Sequence, residues 1–276
     1  MTNPTEPAPP LLSRHEPAPG NASGRVLHLT LNRPEARNAM SLVMVDALLA
    51  ALAEAEAAGD VRAIVLRGAG GHFCAGGDLK DMATARMAAD GLAAMAAVNA
   101  RFGQLCAAYA RTGIAVIAVV EGAVMGGGFG LACVADVVLA GDSAQFRLPE
   151  TSLGVVPAQI APFLVERLGY SEARRLAVTG GRLGASEALQ LRLVHEVHAS
   201  GALDHAVQGV LADVLRCAPQ ALAATKALMA RARLLPPADL VNDAAAVFAQ
   251  AVLGPEGQEG TAAFVQKRQP AWAPQT

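Results

Sequence analysis

The sequence predicts an α/β protein with a helical C-terminal region, and three observations predict it. Short apolar runs such as Ala63–Leu66 and Ile114–Val120 have the length and composition of buried parallel strands. Stretches with apolar residues at helical spacing alternate with them, as at Leu42, Val45, Leu48, Leu49 and Leu52. Toward the C-terminus helical periodicity takes over, and from about Ser200 it stands alone.

The elements follow in order. Arg25–Leu31 alternates, with Val26, Leu27, Leu29 and Leu31 as its apolar weight, and Asn32-Arg33-Pro34 closes it as a turn. Ser41 is placed to cap the helix that Gly59 ends. Ala63–Leu66 leads into a loop, Gly68 to Asp78, that holds five glycines. A helical stretch through Arg111, the strand Ile114–Val120, a triple glycine, a helix through Cys133 and a strand at Val137–Ala140 complete the α/β part. Helices are then expected at Pro162–Leu168, Ser171–Thr179, Ala185–Leu191, Leu203–Leu215, Pro219–Ala232 and Ala238–Leu253, with one strand at Val194–Val197. The division is a flexible tail over Met1–Gly20, rich in Pro and Glu, a core over residues 21–199, and a helical region over residues 200–276.

Composition bounds the function. Charged residues are 17% of the 276 and hydrophobic ones 53%, so much surface is buried in a core or against other subunits, and an oligomer is expected. A net charge of -2 gives no cationic field for nucleic acid. Gly113 to Ala140 is long enough to span a bilayer, but Glu121, Asp136 and three consecutive glycines interrupt it, so no membrane span is expected. The N-terminus lacks the basic start and apolar run of a secretory signal, and Cys74, Cys106, Cys133 and Cys217 form no CxxC pair, so a reduced, cytoplasmic protein is expected. The six histidines include His195 and His198 three apart without a third ligand, and no metal is expected.

Two glycine-rich segments follow predicted strands: Gly68-Ala-Gly-Gly-His-Phe-Cys-Ala-Gly-Gly-Asp78 and Met125-Gly-Gly-Gly-Phe-Gly130. Neither completes GxGxxG, and no GxxxxGK occurs, which removes the dinucleotide and P-loop readings. Two strand-to-helix turns with bare backbone N–H groups remain, an arrangement that suits one shared oxygen.

These segments, with Asn32-Arg-Pro-Glu-Ala-Arg-Asn-Ala-Met-Ser41, Ala135-Asp136, Phe146-Arg-Leu-Pro-Glu150, Leu153-Gly-Val-Val-Pro157 and Glu259-Gly-Thr-Ala-Ala-Phe-Val-Gln-Lys-Arg268, resemble the crotonase, or enoyl-CoA hydratase/isomerase, superfamily from about Val26 to the C-terminus. The resemblance implies a spiral of ββα turns and C-terminal helices that assemble trimers, usually paired into hexamers. It implies an acyl-CoA thioester substrate, with coenzyme A part of that substrate and no separate cofactor. The thioester oxygen would accept from the amides of Gly77 and Gly127, the latter in the turn opened by Gly126. Preorganised donors at a developing enolate oxygen contribute about 3 kcal/mol each to transition-state stabilisation. Ala75, Gly77, Asp78 and Leu79, followed by Lys80, match the stretch that contacts adenine and pantetheine. Arg37 matches a position near the phosphates. Phe264 and Lys267 match a pair that reaches the coenzyme of a neighbouring subunit, and their spacing predicts one helical face.

The acid–base positions depart from that pattern. Hydratases of the superfamily use two glutamates; Glu150 matches the second, while Gly130 stands at the first. Glu150 is therefore the candidate proton carrier, with hydration and double-bond isomerisation both open and an acyl-CoA binder without activity as the third reading. Gln159 is placed either to position a water or to cap the next helix. Met125 and Phe129 either line an acyl pocket or pack in the core. The run Gly-Gly-Gly-Phe-Gly with Leu-Pro-Glu-Thr and Pro-Ala-Gln-Ile-Ala-Pro-Phe is similar to isohexenylglutaconyl-CoA hydratases.

Overall fold

The computed structural model describes residues 8–275. Its first element corrects the expected tail. Residues 1–7 lie outside the described residues, but Leu11–Pro17 forms strand β1, antiparallel to β2 (Arg25–Leu31) with Leu11 opposite Leu31. An edge strand tolerates the prolines and charges that made this segment read as tail, because only one side of it must pair.

Ser41 accepts the Met44 N–H and Gly59, at φ 69°, ends α1 (Leu42–Ala58). The chain continues through β3 (Val61–Gly68), α2 (Leu79–Arg86), α3 (Gly91–Arg111), β4 (Ala115–Val120), β5 (Ala123–Met125), α4 (Gly127–Cys133), β6 (Val137–Gly141) and β7 (Gln145–Arg147). Then come α5 (Ala161–Thr179), broken at Gly169 where two helices are predicted, β8 (Arg182–Gly184), α6 (Ala185–Gln190) and β9 (Glu196–His198). Helices α7 (Leu203–Arg216), α8 (Pro219–Ala232), α9 (Pro237–Leu253) and α10 (Pro255–Val265) follow.

The main sheet has the order β1-β2-β3-β4-β6-β9, parallel except for β1. One face carries Leu27, Leu29, Ile64, Leu66, Val116 and Ala118 into the larger core, and the other packs Val26, Ala63, Val65 and Ile117 against Leu203, Val207 and Leu211 of α7. Burial on both faces explains why these strands read as unbroken apolar runs. It also places α7 against the sheet, across the division expected near Ser200. A second sheet, β5-β7-β8, is extended by single parallel bridges between Cys74 and Val124 and between Met40 and Gly77. β4 and β6 each feed a short strand of the second sheet, and β2 and β3 lead into the bridged segments at Met40 and at Cys74 and Gly77, the ββα repeat the resemblance implies. Among the described residues no helix is long and apolar enough to cross a membrane.

One sheet contact carries a pH prediction. His195 donates its backbone N–H to the Val138 carbonyl at 2.9 Å, and its Nδ1 accepts the Val138 N–H at 2.9 Å. Burial, then Arg167, lower its pKa from 6.5 against the smaller opposing effects of the Val138 contact, Glu196 and Asp136. A depressed histidine favours the folded state while neutral, so its contribution is complete above 6.5 and lost as the pH falls toward the folded pKa. The thermal unfolding midpoint is expected to drop between about pH 7.5 and about pH 5.5, and His195→Gln to flatten that drop. An equal drop in the variant assigns the effect to other groups.

Candidate active site

The site grows from a loop that one asparagine holds in place. Asn38 is fully buried at φ 57°, a left-handed conformation that Asn tolerates better than most residues. Its Oδ1 accepts the Arg33 N–H at 2.8 Å, and its Nδ2 donates to the carbonyls of Ala69 and His72 at 2.8 and 2.6 Å. This ties the turn before α1 to the glycine-rich loop. The two then run side by side: Ala75 donates to the Arg37 carbonyl, Met40 to Gly76, and Asp78 to Met40. Met40 bonds to the residues on either side of Gly77, so the Gly77 N–H is turned away from it, toward the β5 strand.

On that side Cys74 and Met125 still pair, with Met125 donating to Cys74 at 2.9 Å. Past them the chain turns at Gly126, whose φ 49° and ψ -116° suit only glycine. Gly127 opens α4, so its N–H has no intrahelical acceptor. Among the described residues neither the Gly77 nor the Gly127 amide donates to a protein acceptor. A Cβ on Gly127 would meet the Phe102 ring at 3.1 Å, which makes Phe102 of α3 a wall of the site.

Glu150 stands beside this turn, at the start of a 3-10 turn, Glu150–Leu153, after Pro149. A Cβ on Gly126 would lie 2.9 Å from its Oε1, so a side chain there would displace the carboxylate. Its Oε2 is buried with no hydrogen-bond partner among the described residues. Burial raises its pKa above 4.5, with a backbone hydrogen bond opposing weakly. The result is a half-buried carboxylate with one unsatisfied oxygen next to two turns with free amides, able to hold an oxyanion and move a proton beside it.

Gly130 leaves no room for a second carboxylate. A Cβ there would sit 2.0 Å from Ile160 Cγ2 and 2.7 Å from Ile160 Cβ. Next to Ile160, the Gln159 side chain crosses to α3, where Nε2 donates to Asn99 Oδ1 at 2.9 Å and the amide lies over Gly103. It does not cap α5, which has no side-chain cap. Arg37, Leu79 and Lys80 are exposed along the joined loops, with Ala75 partly covered. The Asp78 carboxylate turns inward, taking Arg33 Nη1 at 2.5 Å and the Lys80 N–H at 2.7 Å, only 7% exposed. Burial alone would raise its pKa, but these bonds outweigh it and hold the carboxyl below 3.8. The side chain caps α2.

The shared helical face expected for the C-terminal pair is corrected. Phe264 is 86% exposed on α10, whereas Lys267 lies beyond the helix at φ 55°, so they share no helical face. α10 packs on α9. Met125 is partly covered on β5, while Phe129 is fully buried with its ring 5.5 Å from that of Phe146, a core contact. Asp136 accepts the Val116 N–H at 2.7 Å and pairs with Lys226 of α8, supporting β4. Asn38, Phe102 and Ile160 escaped the sequence reading as individual contributors. Asn38 sits in a motif that signals a turn, but the identity of the carbonyls it reaches depends on folding.

The profile of the enoyl-CoA hydratase/isomerase family matches residues 21–275. The 2,3-dehydroadipyl-CoA hydratase of Escherichia coli is 34% identical over 89% of this chain and 94% of its own length. A probable enoyl-CoA hydratase of Rhodobacter capsulatus is 35% identical over 88% and 92%. The solved structure of Pseudomonas aeruginosa AtuE superimposes with a TM-score of 0.90 at 53% identity, over 96% of this chain and 99% of that one. An enoyl-CoA hydratase/isomerase from Marinobacter aquaeolei gives 0.89 at 49% identity, over 95% and 98%. With its crotonase-type fold, this chain belongs to the enoyl-CoA hydratase/isomerase family and is an enzyme of that family.

Proposed function

We propose that the enzyme adds water to an α,β-unsaturated acyl-CoA thioester, with Glu150 as its single acid–base group. The observation that carries this is the buried, unsatisfied Glu150 Oε2 beside the unengaged amides of Gly77 and Gly127. The amides form an oxyanion hole for the thioester oxygen. Glu150 takes a proton from water as its oxygen bonds to C3, the C2–C3 π pair moves onto the thioester as enolate, and Glu150 returns the proton to C2. Arg37, Ala75, Leu79 and Lys80 border the coenzyme, with Gly126 and the Asp78 backbone in the same wall. The similarity to isohexenylglutaconyl-CoA hydratases extends the reading to a branched acyl group.

The filled space at Gly130 favours a second reading, in which Glu150 moves one proton between C4 and C2 and no water enters. Mass spectrometry of crotonyl-CoA and 3-enoyl-CoA after incubation in oxygen-18 water separates the two. Label gained on crotonyl-CoA supports hydration; a bond shift without label makes the enzyme an isomerase.

The same reading includes self-association. Met229, Leu234, Phe248, Leu253 and Phe264 are each at least 66% exposed on or beside α8, α9 and α10, an apolar surface that a monomer would leave in water. A trimer or a dimer of trimers covers it and brings Phe264 and Lys267 to a neighbouring active site. Light scattering is expected to give three or six times the chain mass, and a monomer would refute this assembly.

A further inference from the structure

Two consecutive residues are keyed into two different helices. Ile160 fills the space that Gly130 leaves on α4, and Gln159 fills the equivalent space on α3. A Cβ on Gly103 would fall 2.1 Å from Gln159 Oε1 and 2.6 Å from its Cδ. Gly103 lies in the interior of α3, where glycine weakens a helix and alanine would strengthen it. The missing side chain is what lets the Gln159 amide reach the helix surface and donate to Asn99 Oδ1 at 2.9 Å.

Asn99, Phe102 and Gly103 stand at i, i+3 and i+4, on one face of α3. The tip of the Phe102 ring meets Gly127, with Cζ 3.1 Å and Cε1 and Cε2 both 3.5 Å from where a Gly127 Cβ would sit. The face that Gln159 grips is therefore the face that walls the Gly127 turn. On its other side Gln159 belongs to the segment that starts at Glu150, whose carbonyl accepts the Val155 N–H at 3.0 Å. One side-chain amide thus ties the wall beside the oxyanion turn to the segment that carries the carboxylate.

We propose that Gln159 is a positioning residue: its hydrogen bond to Asn99, seated in the Gly103 notch, holds Phe102 against the Gly127 turn and keeps water from competing for that amide. A preorganised donor stabilises a developing oxyanion most where water is excluded, and a small displacement of its surroundings is enough to slow the reaction. The kinetic consequence rests on the thioester reading above; the contact itself does not.

Two measurements test this, one of them without substrate. In hydrogen–deuterium exchange, Gln159→Met, which keeps the length and loses both polar atoms, is expected to speed uptake about 10-fold in α3 around Phe102 and in the turn from Gly126 to Gly130. Unchanged uptake in those segments overturns the proposal whatever the substrate. In crotonyl-CoA hydration the same variant is expected to lower kcat about 10-fold with KM within about 3-fold. Asn99→Leu is expected to match it, and Asn99→Asp, which keeps an acceptor for Nε2, to retain most of the rate. Gly103→Ala separates positioning from general stability, because its Cβ expels the amide while it favours the helix. It is expected to lose kcat with an unfolding midpoint at or above that of the wild type, and full activity in this variant overturns the proposal. In a Phe102→Leu background, which removes the ring tip, Gln159→Met is expected to cost less than about 2-fold more. A full further loss there would mean that Gln159 acts on the reacting water and not through Phe102, which also overturns the proposal. Faster exchange in Gln159→Met, with a wild type that converts no enoyl-CoA, supports the positioning contact and overturns the thioester reading alone.

Discussion

Glu150→Gln is expected to lower kcat for enoyl-CoA hydration by about 10²- to 10⁴-fold, the range for loss of a positioned general acid–base group. Gln keeps the shape, so KM changes little and the loss is in the chemical step. The pH dependence gives a second reading of the same residue. Burial raises the pKa of Glu150 above 4.5, and the base that activates water is the carboxylate. The acidic limb of kcat/KM against pH therefore lies above the usual glutamate range. Stability moves the other way. A carboxyl whose pKa is raised in the folded state stabilises the fold below the unfolded pKa and loses that contribution as the pH rises through the folded value. At neutral pH the charged, unsatisfied Oε2 is a local liability, so Glu150→Gln is expected to raise the unfolding midpoint while it lowers activity. A variant that keeps wild-type kcat removes Glu150 from the chemistry. One that loses activity and stability together points to a structural role instead.

Much of this arrangement was legible in the sequence because local signals and packing agree there. Ser41 caps α1 and Gly59 ends it, since both act through backbone geometry within a few residues. The buried strands were visible because a sheet covered on both faces needs continuous apolar runs. β1 was hidden, because an edge strand with Leu11 as its one buried side chain has no pattern of its own and is defined by β2 beside it. In the site, the glycine turns and Glu150 could be read from order and spacing, whereas Asp78 could not. Its carboxylate belongs to a residue pair 45 positions apart, closed by Arg33, and nothing near Asp78 announces that partner. Lys267 shows the reverse error: the spacing from Phe264 fits a helical turn, but the chain leaves the helix at Val265.

Gly130→Glu, which supplies the carboxylate that two-glutamate hydratases carry at this position, is expected to destabilise the fold by about 3 kcal/mol or more. The new Cβ would fall 2.0 Å from Ile160 Cγ2, inside a helix whose residues from Gly128 to Cys133 are all buried. Neither partner has a cheap way out. Gly130 is fixed by its hydrogen bond to the Gly126 carbonyl, so moving it would disturb the turn that presents the Gly127 amide. Ile160 is 3% exposed in the main core, so moving it opens a cavity. The carboxylate would also enter a site where burial already disfavours the charge on Glu150, and the two would compete for one proton. Ile160→Gly removes both clashing atoms, and although alone it costs about 2–5 kcal/mol as a cavity, combined with Gly130→Glu it is expected to recover at least about 1 kcal/mol relative to the sum of the single changes. Urea unfolding of the wild type, both single variants and the double variant measures that coupling. A Gly130→Glu chain with the wild-type midpoint, or simple additivity in the cycle, would show that the space is free. Strong coupling shows that Gly130 and Ile160 are one packing unit whose packing leaves no room for a second carboxylate at that position.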